Sequence, residues 1–131
     1  FPTARERIIS AMTRTKVANP VFVTGDIHSF WVNDVKEDFR NPNSATVATE
    51  LVGTSTSSAG VPYDQFAKLL PDNPHIKFFD SRKRGYILCE AGRQAMTGDL
   101  RGVEDVRDPK TKDGSLGRFA IEAGKPGAVK A

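Results

Sequence analysis

The stretch Pro20-Val21-Phe22-Val23-Thr24-Gly25-Asp26-Ile27-His28-Ser29-Phe30-Trp31 decides how the rest of the chain is read. Val21, Phe22 and Val23 are apolar at consecutive positions, without the alternation of a half-solvated strand. Such a run predicts a strand covered on both faces, as in an α/β or layered sheet. Gly25 is the residue expected to let the chain leave the strand sharply. Asp26 and His28 follow just past the strand's end. Two positions apart, they point to the same side if the backbone stays extended. A carboxylate and an imidazole converging on one point make a mixed oxygen and nitrogen pair that a hard divalent or trivalent ion accepts. Open α/β sheets bind ligands beyond the carboxyl ends of their strands, which is where this pair falls. A second reading makes Asp26 the cap of a turn and His28 a hydrogen-bonded structural histidine. Spacing leaves both readings open.

Before this stretch, Ala4, Ile8, Ala11 and Met12 recur at helical spacing, with Ile9 beside the stripe. Thr3 and Glu6 have the spacing of a capping box, Arg14 and Lys16 suit the carboxyl end of the helix dipole, and Asn19-Pro20 stops the helix. After it, Asn33 to Ser44 reads as a polar surface loop containing Asn41-Pro42-Asn43. Val47 to Val52 reads as a strand, and Gly53 to Gly60 as a loop of small residues. That loop lacks the lysine of a phosphate-binding P-loop, so a solvated Ser/Thr loop is the simpler reading. Tyr63 to Leu70 is expected to be a short helix. The remainder reads as strands at Ile76–Phe79, Gly85–Cys89, Gln94–Val106 and Arg118–Glu122. Ser81 to Arg84 is expected as a tight polar connection, and Asp108 to Gly117 as a charged turn. Gly124 onward is expected to fray, so that residues 1–131 form a single partial domain with a flexible tail at 125–131.

A chain of 131 residues is large enough to bury a core as one domain. The net charge of +3 is interspersed, and its densest cluster, Arg82-Lys83-Arg84, is too short for a nucleic-acid footprint. It reads as a solvated loop. The balance argues against nucleic acid as a partner, except as a substrate. Cys89 is the sole cysteine, so no internal disulfide forms, and its apolar neighbours mark it as a strand thiol rather than a nucleophile. No apolar run approaches the ~18 residues of a membrane span. The start at Phe1, directly before a helix, reads as a cut through a longer polypeptide.

Several ordered blocks carry a resemblance. Asn19-Pro-Val-Phe-Val-Thr-Gly-Asp-Ile-His-Ser-Phe-Trp31 closely resembles the C-terminal part of the PhoD-like alkaline phosphatases, a metallophosphoesterase family. Phe1-Pro-Thr-Ala-Arg-Glu-Arg7, Ala48-Thr-Glu-Leu-Val-Gly-Thr-Ser-Thr-Ser-Ser58, Asn73-Pro-His-Ile-Lys-Phe78 and Arg84-Gly-Tyr86 resemble further blocks in the same order. The likeness runs over roughly residues 1 to 124. It implies an α/β (α+β) chain forming the C-terminal half of a four-layer αββα sandwich, mostly strands with one N-terminal helix and a short central one. It implies hydrolysis of phosphate monoesters and diesters at a multinuclear centre, with iron and calcium as the metals. Asp26 would then be a metal ligand, and His28 a ligand or a catalytic partner of the phosphate. A secreted or periplasmic location is implied as well.

The family's other metal-binding motifs would lie upstream of Phe1, in a missing N-terminal half that would be this chain's partner. Glu50 is a speculative further ligand and reads first as a structural carboxylate. His75 is a candidate substrate-binding residue and reads first as a loop histidine. Alone, the chain is expected to bind metal weakly and to turn over little substrate. The alternative is a non-catalytic β-rich interaction module that uses its exposed half-core as an interface.

Overall fold

The computed structural model describes residues 1–131. Along the chain run α1 (Pro2–Thr15), β1 (Val21–Thr24), β2 (Phe30–Lys36), β3 (Thr46–Val52), α2 (Tyr63–Ala67), β4 (Ile76–Asp80), β5 (Arg84–Ala91), β6 (Ala95–Val103), β7 (Asp113–Glu122) and β8 (Val129–Lys130). A short 3-10 turn, Leu70–Asp72, follows α2. The strands form two four-stranded sheets, ordered β1-β3-β2-β4 and β5-β6-β7-β8. β1 runs parallel to β3, with Val21 opposite Thr49 and Thr24 opposite Val52. The remaining pairings in both sheets are antiparallel.

One face of the first sheet packs on the second. Phe30, Val32 and Leu51 meet Leu100, Phe119 and Ile121 there, every one of them buried. Contact is close: a Cβ on Gly98 would stand 2.9 Å from Cδ1 of Leu51. The opposite face of the first sheet carries the helices. Ile8, Ile9 and Met12 of α1 line a cavity over Phe22, Trp31 and Val52. Phe66 of α2 packs against Trp31 and Phe79, with centroids 6.1 Å away in each case. Helices, first sheet and second sheet are thus three successive layers. The outer face of the second sheet is polar: the Asp113 carboxylate accepts from Tyr86 and Arg101, and Asp99 accepts from Arg101 and Ser115.

The strands expected from hydrophobic runs form, but several boundaries move. The Thr3–Glu6 capping box does not. Pro2 already occupies the first helical turn and Phe1 is the N-cap, with no side-chain cap hydrogen bond; a proline that loses no needed N–H can open a helix without one. Asn33 and Asp34 belong to β2 rather than to a loop, because partners satisfy them. Asn33 donates to Glu50 at 2.9 Å, and Asp34 pairs with Lys77 at 3.0 Å. The tight connection expected at Ser81 to Arg84 forms, with Arg84 already in β5, and it carries the chain from one sheet to the other. The turn expected over Asp108–Gly117 is already strand from Asp113.

The 125–131 tail is corrected too. Val129 and Lys130 pair with β7, and Ala128 is buried in the core cluster. The Gly127 N–H donates to Thr49 Oγ1 at 3.1 Å and the Ala128 N–H to Asp34 Oδ1 at 3.3 Å. Two buried polar side chains of the first sheet thereby gain donors from the chain's end.

Candidate functional site

β1 ends at Thr24, and the following five residues form the corner. The Ile27 N–H donates to the Gly25 carbonyl at 3.0 Å, closing a three-residue turn around Asp26, whose φ is 75°. A turn of that hand is rare and strained. His28 also has a positive φ, 58°. Gly25 does not have one, so the conformational freedom expected of the glycine is demanded of its neighbours instead. Nor is the backbone extended here. Two residues of positive φ, not strand alternation, therefore set the directions in which Asp26 and His28 leave the chain.

The two side chains differ in surroundings. Asp26 is exposed. His28 is half-buried, and its ring Nδ1 lies 3.1 Å from the Ala59 carbonyl. A carbonyl oxygen can only accept, so Nδ1 carries a proton, and in the neutral ring Nε2 is then the nitrogen with the lone pair. This is how metal-binding histidines are oriented in general: one ring nitrogen is fixed by a backbone carbonyl so that the other can coordinate. The loop supplying that carbonyl is the small-residue segment Gly53–Gly60.

The feature that sequence reasoning missed is Arg84. In the sequence it belongs to a basic cluster that reads as solvated, yet it is buried, with 8% of its surface exposed. Its Nη1 donates to the His28 carbonyl at 3.1 Å, to Ser55 Oγ at 3.1 Å and to the Ser58 carbonyl; Nη2 donates to the Ser81 carbonyl. Burial pushes its pKa down, and nearby Asp80 only partly offsets this. One signal was available. A loop of eight small residues carries many carbonyls and few long donors, so its backbone must be satisfied from elsewhere.

Glu50 does not reach the corner as a free ligand. It faces α1 and accepts from Asn33 at 2.9 Å and from Thr24 at 3.4 Å. His75 precedes β4 at the end remote from the corner, since Phe30 pairs with Asp80 while Asn33 pairs with Ile76. Its ring meets Phe39 edge-on at 5.2 Å, and burial lowers its pKa. One cavity of about 690 Å³ under α1 nevertheless reaches both places, with Gly25 and Ile27 at the corner and His75 among its other lining residues. Cys89 is half-buried in β5, where burial raises its thiol pKa, against any nucleophilic use.

No three His, Cys, Asp or Glu side chains come together as a group that could hold a metal ion. The structure supplies one oxygen and one nitrogen donor, enough for an edge of a metal centre. A complete site would need further ligands.

A family model described as PhoD-like phosphatase matches residues 1–100. Alkaline phosphatase D of Bacillus subtilis (strain 168) is 32% identical over 133 residues, covering 99% of this chain and 23% of that protein. A solved structure titled "Structure of PhoD" superposes with a TM-score of 0.89 at 30% identity, covering 100% of this chain and 26% of that one. The chain therefore spans about a quarter of the length of the relatives it matches. The blocks quoted from the sequence, the helix and strand content and the comparisons agree: the chain belongs to the PhoD-like phosphatase family.

Proposed function

We propose that this chain contributes one corner of the active site of a metal-dependent phosphatase that hydrolyses phosphate monoesters and diesters. Asp26 and the Nε2 of His28 would hold one side of the centre, with iron and calcium as the metals that family resemblance implies. When bound, such ions supply polarisation of the phosphoryl oxygen and of the attacking water. The chain's own residues do the rest. Asp26 offers an unpartnered carboxylate and His28 a ring nitrogen, and Arg84 and the Ala59 carbonyl hold His28 in place. A location outside the cytoplasm belongs to the same reading.

The observation that carries the proposal is the strained turn at Asp26. A φ of 75° at a non-glycine residue costs free energy and is kept where a side chain must be presented. Two donors cannot complete a two-metal centre, so the remaining ligands come from other sequence, the counterpart of the three quarters of the relatives that this chain does not span. Assay of the 131-residue chain with p-nitrophenyl phosphate plus iron and calcium should give turnover near background. Substantial turnover that vanishes in Asp26→Ala would overturn the division of the site.

The non-catalytic reading draws on a different observation. β1 and β5 are edge strands, and Val23 of the first and Tyr86 and Leu88 of the second are about half exposed. Such edges pair readily with further strands. Analytical ultracentrifugation separates the cases: a monomer that unfolds cooperatively argues against the edges as an interface, and self-association argues for it.

A further inference from the structure

Three segments that shape the Asp26–His28 corner meet on one side chain. We propose that Arg84 is the positioning residue of this corner, setting the orientation and tautomer of the His28 ring. The inference rests on the reading of His28 as a site residue. It adds a residue whose role is to hold that ring.

Arg84 donates to the carbonyls of His28, Ser58 and Ser81 and to Ser55 Oγ. Those acceptors come from the corner, the small-residue loop and the link between the sheets. The His28 carbonyl belongs to the residue being oriented. The Ser58 carbonyl is one residue from Ala59, whose own carbonyl holds the ring at Nδ1. Arg84 therefore fixes both ends of the ring's attachment. Arg84 forms no salt bridge: Asp80, whose charge acts on it from nearby, accepts instead from Arg82, with Nε at 3.0 Å. A planar guanidinium with five donors can serve acceptors spread over three segments, whereas an ammonium cannot reproduce that fork.

Gly60 provides independent support. A Cβ there would stand 2.5 Å from the His28 carbonyl, 2.8 Å from Arg84 Nη2 and 2.8 Å from the Ser81 carbonyl. The junction closes only because position 60 has no side chain. Two residues on different elements thus control the same contact. One carries the donors and the other leaves the space.

The test reads the ring directly. Long-range proton–nitrogen spectra of the full chain, recorded at about pH 8 where an imidazole is neutral, report which nitrogen of His28 is protonated. The wild-type chain should show the proton on Nδ1. In Arg84→Lys and in Gly60→Ala the Nδ1-protonated fraction should fall at least twofold, with His75 unchanged as an internal reference. Amide signals of Leu100, Phe119 and Ile121 report whether the sandwich is intact. Unchanged His28 signals in either folded variant overturn the proposal. Loss of folding in both variants does so as well, by making Arg84 a stability residue only. Phosphate-ester hydrolysis plays no part in this readout, so a failed phosphatase assay and a failed positioning role are separate results.

Discussion

Asp26 holds a backbone conformation that glycine would adopt without strain, while its carboxylate makes no hydrogen bond that would offset the cost. Asp26→Gly should therefore raise stability in urea by about 1 kcal/mol while weakening metal binding. A destabilised Asp26→Gly would mean that the side chain caps the turn after all. His75 makes a second prediction. Burial lowers its pKa below the ordinary 6.5, with Asp34 and Lys36 acting in opposite directions. As pH falls through 6.5 the unfolded chain takes up the proton first, so stability declines toward the lower folded value and levels off beneath it. The urea midpoint should thus drop as the pH falls through 6.5, and drop less in His75→Gln. At this scale the sequence reveals residue types but not their conformation. Asp26 and His28 stand out as a carboxylate and an imidazole after a strand, yet nothing in their identity shows two positive φ angles. Arg84 was hidden by Arg82 and Lys83: three adjacent basic residues look alike until the fold buries one.

Strand elements were legible wherever apolar residues ran consecutively or alternated, as in β1, β4 and β5. They were misjudged where polar side chains find partners only through tertiary contact. Asn33 and Asp34 looked like loop because Glu50, Lys77 and the Ala128 N–H lie 17, 43 and 94 positions away in the chain. The docked tail follows the same logic. Removing residues 126–131 should cost about 1–3 kcal/mol in urea unfolding, since it strips two donors and the buried Ala128 from the first sheet. An unchanged midpoint would show that the tail contributes nothing. Within the second sheet, Gly85 has a φ of 155° and no space for a side chain: a Cβ would fall 1.9 Å from the Arg101 carbonyl. Gly85→Ala should cost on the order of 3 kcal/mol or prevent folding, as judged by the same unfolding curves.

Across the molecule, the resemblance implied a mostly β chain with an N-terminal and a short central helix, part of a layered sandwich, and the structure has two sheets face to face with both helices on one side. The site was legible only as a corner, because no three His, Cys, Asp or Glu side chains of this chain gather into a metal-holding group. Parallel pairing of β1 with β3 aims the ends of both strands at one edge of the sheet, where Asp26 leaves β1 and the small-residue loop leaves β3. Arg84 then joins that edge to the second sheet. The sandwich is a frame that holds two residues of positive φ at its rim, and on the proposed function that rim is where further ligands would arrive. The most direct measurement is metal-dependent hydrolysis of p-nitrophenyl phosphate by the full-length protein, wild type against Asp26→Ala. The account predicts a loss of kcat/KM of at least about 10²-fold, the scale of removing one charged group from a preorganised site, with the fold intact. Turnover equal to wild type in the folded variant would contradict it.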